Sequence, residues 1–477
     1  MENKGSLRFI LGILVIAGIP YEIVKERFGV SKSYYYSLRE PAEKILEALF
    51  RDGEYPRKIL IVTKHFVARC VMCLSLYCRA PIESIVLFFT LVIGMSVSKG
   101  SIGRIRKEAA EKAAALDAEI SLAGIEEIAT DEIFQQGKPV LTTIDLETDY
   151  VIMMEAAPDR SGETWEAKLQ EPKSRGLQAS LNVSDSGTGL LNGVQKAFPG
   201  IAMQPDAFHM LRDLGREVHR IEGYGYKKLS RYYELDRRVN SRKRGCASAE
   251  LCKQYQELHN QIDLILQQAD EILILYDWLR EYTAFPGYGY QKSLCLCEWI
   301  LDEMASRFPE RQDFHKAVQR FRVHLPDLLS FLLRLRDKIW KSAEDFPHVN
   351  GQDFLLLYKQ EYCQPNSQAY DCMETRLYHR FGPLLPKARE VLEDLLRTTR
   401  RASSMIENLN GRLRCFMDLK REIPDQFLIL IKVYFNTKKS LRSRRSNWKG
   451  TSALERLTKK HWPEFLDLVT APLDYIF

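Results

Sequence analysis

The sequence predicts an α/β core that is interrupted by a long all-helical segment and preceded by small helical domains. Within residues 138–145 and 180–185, apolar and polar residues alternate with a period of two, which is typical of β-strands. Over residues 216–400, apolar residues recur at spacings of three and four, and Pro or Gly stands at the breaks. That second pattern predicts helices without intervening strands.

Composition is that of a folded protein with a large core. The chain has 477 residues, of which 45% are hydrophobic and 28% charged, and this balance excludes disorder for most of it. The formal net charge is only +6, but the basic residues concentrate at 227–244, 397–401 and 438–449. Such clusters favour a polyanionic partner, although a run of charge is often only a solvated face.

Two of the predicted strands end in an aspartate. The strand over residues 138–145 ends at Asp145, and Leu181, Val183 and Asp185 lie on one side of another strand that leads into a Ser-Gly turn. If the two strands are neighbours in one sheet, the carboxylates of Asp145 and Asp185 lie close together. Such a pair is costly to ionise without a cation between them, and oxygen-only ligands suit Mg²⁺ or Mn²⁺.

Four short motifs give the chain a resemblance to a known family. The strand that ends at Asp145, the segments SDSGTGL and QPDAFH, and the segment RASSMIENLNGRLRCF resemble DDE transposases of the Mutator-like, hAT-like and bacterial insertion-sequence types. The resemblance implies a ribonuclease H-like catalytic core with a large all-helical insertion. It also implies a third acid, Glu407, on a helix far along the chain, and a motif formed by Asp206 and His209 at the edge of the site.

Glu407 has a functional and a structural interpretation. An apolar helical stripe beside it would pack on the sheet and leave Glu407, Asn410 and Arg414 on the neighbouring polar face. Alternatively, Ser404 and Glu407 have the spacing of a capping box, in which the glutamate serves only the start of the helix. Asp206 and His209 likewise have two interpretations, namely phosphate positioning or a strand-end turn with a satisfied histidine.

The resemblance implies metal-dependent chemistry on DNA. Two Mg²⁺ or Mn²⁺ ions would lie between Asp145, Asp185 and Glu407, with Asp145 bridging both ions. The partners would be double-stranded DNA of the element ends and of the target, bound by a homodimer or higher multimer. We expect the protein to act in the cytoplasm, at the nucleoid, with no membrane segment. The rival functions are a transposase-derived DNA-binding protein without catalysis, and a nuclease of the same fold without strand transfer.

Two helical segments before the core are candidate DNA-binding domains. The first resembles a helix-turn-helix, with a third helix that opens at Ser31. Its candidate DNA contacts are Lys32, Ser33, Tyr35, Tyr36 and Arg39. The alternative is a plain three-helix cap with surface tyrosines. In the second domain, positive charges stand early in a helix, where they oppose the helix dipole unless phosphates compensate. Its candidate DNA contacts are Lys99, Ser101, Arg104, Arg106 and Lys107. Further candidate contacts are Arg414, Arg442, Arg444 and Arg445.

We therefore predict six segments. They are 1–55 (helix-turn-helix), 56–135 (second helical DNA-binding domain and connector), 136–215 (first part of the core), 216–400 (all-helical insertion), 401–440 (last part of the core with Glu407) and 441–477 (basic tail).

Three further features have ordinary interpretations. His65, Cys70, Cys73 and Cys78 have a spacing that zinc sites use, but a helical face without a turn fits them better. The apolar residues 9–19 and 85–97 predict buried helices rather than membrane segments, because the second is too short to span a bilayer. We expect the tryptophans of the helical insertion, Trp278, Trp299 and Trp340, to lie in its core.

Overall fold

The architecture comes from a computed structural model, which describes most of the chain. The described residues are 4–50, 62–185, 187–241, 247–284, 289–308, 311–361, 363–401, 404–420, 422–443 and 448–470. The chain divides into two compact units, residues 1–67 and residues 68–477. Among the helices described, every one is too short or too polar to cross a lipid bilayer.

The N-terminal unit is helical. Its helices are α1 (Lys4–Ile16), α2 (Tyr21–Phe28), α3 (Lys32–Ser37) and α4 (Arg39–Phe50). Gly29 turns the chain after α2 with a φ of 62°, and the Ser31 hydroxyl caps α3 by accepting a hydrogen bond from Tyr34 N. Leu11, Val15 and Tyr35 form its small core. The first two predicted helices are confirmed, whereas the third divides at Leu38 into α3 and α4. Residues 9–19 bury one face of α1 only, because Ile10 and Ile13 are exposed.

A mixed sheet lies at the centre of the second unit. Its strands are β1 (Glu127–Gln135), β2 (Lys138–Asp145), β3 (Val151–Ala156), β4 (Leu181–Ser184) and β5 (Ala202–Pro205). In the described part of the chain they form one five-stranded sheet in the order β3-β2-β1-β4-β5. β1, β2 and β3 are antiparallel neighbours, whereas β4 runs parallel to β1 and β5 runs parallel to β4. The central strand is β1, whose residues were expected to form a connector; that expectation is wrong.

Alternating side chains give the sheet two buried faces. Ala129 and Ile133 of β1 face a core that includes helices α7 (Lys99–Glu119), α18 (Ser404–Met417) and α19 (Asp425–Thr437). Ile128 of β1 faces the opposite core, against helices α8 (Gly162–Ser174) and α9 (Thr188–Ala197). At Gly193 of α9 an added Cβ would lie 2.3 Å from the Cβ of Trp165, so only glycine allows this close packing of α8 and α9.

Further helical segments lie between α4 and the sheet in the sequence. They are α5 (Lys64–Leu76), α6 (Ile82–Phe88), a π-helical turn (Phe89–Ile93) and α7. Ala109, Ala110 and Ala113 of α7 are buried in the sheet core, so the predicted segment 56–135 shares a core with the sheet. The expectation that residues 85–97 are buried is wrong in part, because Leu91 and Val92 are exposed.

The stretch between β5 and α18 is all-helical where it is described, as the sequence predicts. Its helices are α10 (Ala207–Val239), α11 (Ala249–Tyr282), α12 (Tyr290–Arg307), α13 (Gln312–Leu328), α14 (Phe331–Ala343), α15 (Gly351–Gln360), α16 (Gln368–Phe381) and α17 (Leu385–Thr398), with a 3-10 turn at Gly382–Leu384. Its described residues form three hydrophobic clusters. The tryptophans were expected inside, but Trp278, Trp299 and Trp340 are all exposed, and the first two stack on each other.

Buried charges connect α7 and α19 beneath the sheet. Lys432 Nζ of α19 donates to Asp117 Oδ2 of α7 at 2.7 Å, and Arg175 Nη1 donates to the same carboxylate at 3.1 Å. All three side chains are less than a tenth exposed. The chain then continues into α20 (Ala453–Thr458) and α21 (Phe465–Thr470), which complete the described fold.

Candidate active site

Asp131 and Asp185 lie near each other where strand β4 ends beside the central strand β1. We call this place the sheet edge. Thr130 of β1 pairs with Ser184 of the parallel strand β4, so the residues that follow them are neighbours. Asp131 shares a face of β1 with Ala129 and Ile133, and Asp185 continues the face of Leu181 and Val183, which lie in the same core. The Asp131 carboxylate points to the side of the sheet that α18 covers, and the negative charge of Asp185 acts on it.

The Asp131 carboxylate is held by an amide of α18. Asn410 Nδ2 donates to Asp131 Oδ2 at 2.6 Å, and Asn410 Oδ1 accepts from Thr142 Oγ1 at 3.3 Å. Burial, and next the negative charge of Asp185, raise the pKa of Asp131 from 3.8 to about 7. Two acids thus compete for ionisation at this edge, which is the electrostatic situation that a bound cation relieves.

Glu407 reaches the same edge from the first turn of α18. Its Oε1 lies 3.4 Å from His209 Nε2, and His209 Nδ1 lies 3.2 Å from Asp206 Oδ2. The contact with the Asp206 carboxylate raises the pKa of His209. Ser404 is the first residue of α18, and Glu407 lies in its first turn.

Asp206 also caps the start of α10. It is the N-cap of that helix, and its Oδ1 accepts hydrogen bonds from Phe208 N at 2.7 Å and His209 N at 3.4 Å. The side chain is almost fully buried. Asp206 therefore fixes the start of the helix that carries His209, and His209 connects this start to Glu407.

Asp145 does not join this group. The expectation that the strands of Asp145 and Asp185 are neighbours is wrong, because β1 lies between β2 and β4. Asp145 pairs with Ile128, three residues before Asp131, which is about 10 Å along the strand. It also shares the face of Leu141, which lies in the core opposite α18.

The surroundings of Asp145 are those of a turn. Its carboxylate accepts hydrogen bonds from Glu147 N at 3.0 Å and Thr148 N at 3.1 Å, and from the Thr148 hydroxyl. Its side chain is buried, and burial raises its pKa. Asp145 closes the β2-β3 connection, as turn aspartates commonly do.

A signal for Asp131 is present in the sequence, although Asp131 was not among the expected site residues. Residues 127–135 alternate in the manner of a strand, with Ile128 on one side and Ala129, Asp131 and Ile133 on the other. An acid in the middle of an apolar face is the informative observation, because a buried carboxylate needs a partner or a cation. The adjacent Glu132 points the other way and pairs with Arg160 Nη1 at 3.0 Å.

Oxygen and imidazole donors at this edge are suited to a divalent cation. Within the described residues, the one group of three metal-ligating side chains whose donor atoms lie within 4.8 Å of one another is Asp206, His209 and Glu407. The cysteines of α5 form no such group there, and Cys70, Cys73 and Cys78 are free thiols. The donors at the sheet edge thus favour a hard cation over a zinc-thiolate site.

The candidate DNA contacts of the N-terminal unit divide into two sets. Lys32, Ser33, Tyr36 and Arg39 are exposed. Tyr35 is fully buried, and its hydroxyl donates to Ile19 O at 2.9 Å, so the expectation that it contacts DNA is wrong. Arg39 Nε pairs with Glu43 at 2.8 Å, which leaves its guanidinium at the surface.

The candidates on α7 also differ from one another. Lys99, Arg104 and Lys107 are exposed, and Lys99 pairs with Glu83 at 2.8 Å. Ser101 is partly buried and contacts the helix cap Ser98, whereas Arg106 is half-buried and donates to Ser75 Oγ at 3.0 Å. These positions make α7 an integral helix of the unit with a basic outer face.

Further along the chain, Arg414 is exposed on α18 and Arg442 is exposed after α19. Arg444 and Arg445 fall outside the described residues.

Comparison with known families gives one match, which includes most of the sheet-edge residues. Residues 81–277 match the family model described as Transposase, Mutator family. The match supports a transposase. It contains Asp131, Asp185, Asp206 and His209 but not Glu407, and it spans less than half of the chain. No curated protein matches the chain.

Proposed function

We propose that this chain is a DNA transposase whose catalytic acids are Asp131, Asp185 and Glu407. The observation that carries the proposal is the meeting of two carboxylates from parallel neighbouring strands with a helix that supplies Glu407 and Asn410. Asp131 takes the place that was expected for Asp145. The family match over residues 81–277 supports the same class of enzyme.

The proposal extends to the type of core. A mixed sheet with its acids on two central strands, and a helical insertion before the helix of the third acid, supports the ribonuclease H-like assignment. The insertion separates Asp206 from Glu407 by about two hundred residues along the chain, yet His209 contacts Glu407. The two parts of the core, before and after the insertion, are therefore in contact.

The residues at the sheet edge fit two divalent cations. Asp131 and Asp185 hold like charges close together, and the raised pKa of Asp131 indicates that the described side chains compensate its charge poorly. Asp131, Asp185 and Glu407 would hold Mg²⁺ or Mn²⁺. When bound, the ions would activate a water or a 3′-hydroxyl and stabilise the charge on the leaving oxygen.

The chain's own groups would orient these acids. Asn410 Nδ2 donates to Asp131 Oδ2, and Glu132 N donates to Oδ1 at 2.8 Å, so both oxygens of this carboxylate are oriented. His209, supported by Asp206, holds Glu407 from the side of α10. A histidine whose pKa is raised carries positive charge more readily, which suits a neighbour of scissile phosphate and leaving oxygen.

The partner in this proposal is double-stranded DNA, both as element ends and as target. Exposed cations on α3 and α7 and at Arg414 and Arg442 are the proposed backbone contacts. Joining two element ends requires a dimer or higher multimer. Action on chromosomal DNA would take place at the nucleoid.

The test is cleavage of duplex DNA that carries the sequences flanking the gene. Wild-type protein should cleave the end of the element with Mg²⁺ and join it to target DNA, and EDTA should abolish both steps. Asp185→Asn should bind the same duplex without cutting it. Binding without cleavage by the wild type supports the rival DNA-binding protein, cleavage without joining supports the rival nuclease, and full activity of Asp185→Asn refutes the site.

A further inference from the structure

A groove of about 450 Å³ opens between the α6-α7 region and the segment that joins α18 to α19. We call it the Phe427 groove, and its lining includes Lys99, Arg106, Lys107, Lys420 and Phe427. Phe427 is buried, with its ring facing the cations of the groove. The groove lies apart from the acids of the proposed active site.

Two cations converge on one aromatic ring in this groove. The Arg106 guanidinium carbon lies 5.3 Å from the ring centroid of Phe427, and Lys420 Nζ lies 4.9 Å from the same centroid. Each cation gains from the ring, but the two repel each other. Burial lowers the pKa of both, and the positive charge of Arg106 lowers that of Lys420 further.

No carboxylate forms an ion pair with these two cations within the described residues. Glu83 and Glu422 also line the groove, where Glu83 is bound to Lys99 at 2.8 Å and Glu422 to Lys138 at 3.3 Å. The negative charge of Glu83 raises the pKa of Arg106 and so opposes the effect of burial. Arg106 Nε donates to Ser75 Oγ, and among the described residues its buried Nη2 atom has no hydrogen-bond partner. An anion in the groove would supply the counter-charge that Arg106 and Lys420 lack.

The groove lies beside the strand that carries Asp131. Gln135, the last residue of β1, donates through Nε2 to Lys420 O at 3.1 Å and accepts from Ile423 N at 3.0 Å. Gln135 follows Asp131 by four residues, which is about 13 Å along a strand. The C-terminal half of β1 therefore connects Asp131 to the segment that lines the groove.

We propose that the Phe427 groove binds a phosphate group of the DNA backbone, with Arg106 and Lys420 as its two charged donors. This inference rests on the proposed function for the source of the phosphate, whereas the anion site itself follows from two cations that form no ion pair within the described residues. Lys99 and Lys107 at the exposed rim would attract the strand to the groove. A strand held there would extend toward the acids along the edge of the sheet.

The experiment measures the salt dependence of binding to a fluorescent duplex for Lys420→Gln and for the matched control Lys359→Gln, which removes an exposed lysine of α15. The proposal predicts that Lys420→Gln weakens binding and lowers the slope of log affinity against log salt by about 0.9, the value of one lost phosphate contact. The control should keep the wild-type slope. Equal slopes for wild type and Lys420→Gln overturn the proposal.

A second measurement separates this inference from the proposed function. Inorganic phosphate, added at constant ionic strength, should raise the Tm of wild type more than that of Lys420→Gln, because a ligand stabilises the state that binds it. If wild type binds no DNA but shows this difference, the anion site stands and the proposed function fails. If phosphate raises both Tm values equally, the anion site is refuted whether or not DNA binds.

Discussion

Replacing Asp131 by Asn should stabilise the metal-free protein, and more so as the pH rises. In the folded chain the pKa of Asp131 is about 7 instead of 3.8. The folded state therefore keeps a proton that the unfolded state releases between these pH values, and the free energy of unfolding falls as the pH rises through that window. Asparagine does not titrate, so the variant escapes this loss.

The magnitude follows from the two pKa values. Their separation of roughly three pH units, at about 1.4 kcal/mol for each, gives ~4 kcal/mol as an upper limit, because water at the sheet edge screens part of the effect. Urea denaturation in EDTA at pH 4 and pH 8 measures it. The stability of Asp131→Asn relative to wild type should increase by up to this amount between the two pH values.

Two controls sharpen the measurement. Asp327→Asn, which alters an exposed acid of α13, is the matched control for the loss of one carboxylate. Mg²⁺ at pH 8 should stabilise wild type and reduce its deficit, because the cation binds the ionised carboxylates. A relative stability of Asp131→Asn that stays constant from pH 4 to pH 8 would contradict the close, buried pairing of Asp131 with Asp185.

Three further substitutions test the surroundings of the site. Asn410→Ala removes the amide that holds Asp131 and should raise the Mg²⁺ concentration for half-maximal cleavage by about 10–100-fold, measured by metal titration. His209→Ala frees Glu407 and should slow cleavage by about 10–100-fold without loss of DNA affinity, measured by single-turnover kinetics and anisotropy. Asp117→Ala removes the ion-pair partner of buried Lys432, leaves Arg175 with Glu171 alone, and should lower the free energy of unfolding by about 3–5 kcal/mol, measured by urea denaturation.

For each of these three predictions, one result would contradict it. Metal dependence of Asn410→Ala equal to that of wild type would mean that Asn410 does not position the acid. Unaltered cleavage by His209→Ala would reduce His209 to a surface histidine. If Asp117→Ala lowers the free energy of unfolding by less than about 1 kcal/mol, the ion pairs of Asp117 with Arg175 and Lys432 are exposed to water rather than buried.

Local patterns sufficed for much of this architecture. Alternation predicted strands β2 and β4, and the stripe through Ile406 and Leu413 predicted a helix that packs on the sheet. Leu181 and Val183 lie in the same core, as predicted, because period two is fixed by the pleat of a strand. These features depend on neighbours in the sequence.

Strand order depends on distant contacts, and there the sequence misled. Asp145 and Asp131 both lie on strands with alternating side chains, and only the position of β1 between β2 and β4 decides which acid meets Asp185. Tyr35 was misjudged for a similar reason, because its burial depends on α1 and α2 packing around α3. The exposed tryptophans of the insertion show the converse, since large aromatics do not dictate their own burial.

The central claim is that Asp131, and not Asp145, shares the active site with Asp185 and Glu407. Mg²⁺-dependent cleavage of the flanking-sequence duplex by Asp131→Asn and Asp145→Asn, assayed side by side at matched DNA affinity, tests it most directly. The geometry predicts that Asp131→Asn loses cleavage, whereas Asp145→Asn keeps it and loses only about 1–2 kcal/mol of stability through the weakened turn. Cleavage by Asp131→Asn together with none by a folded Asp145→Asn would contradict the claim.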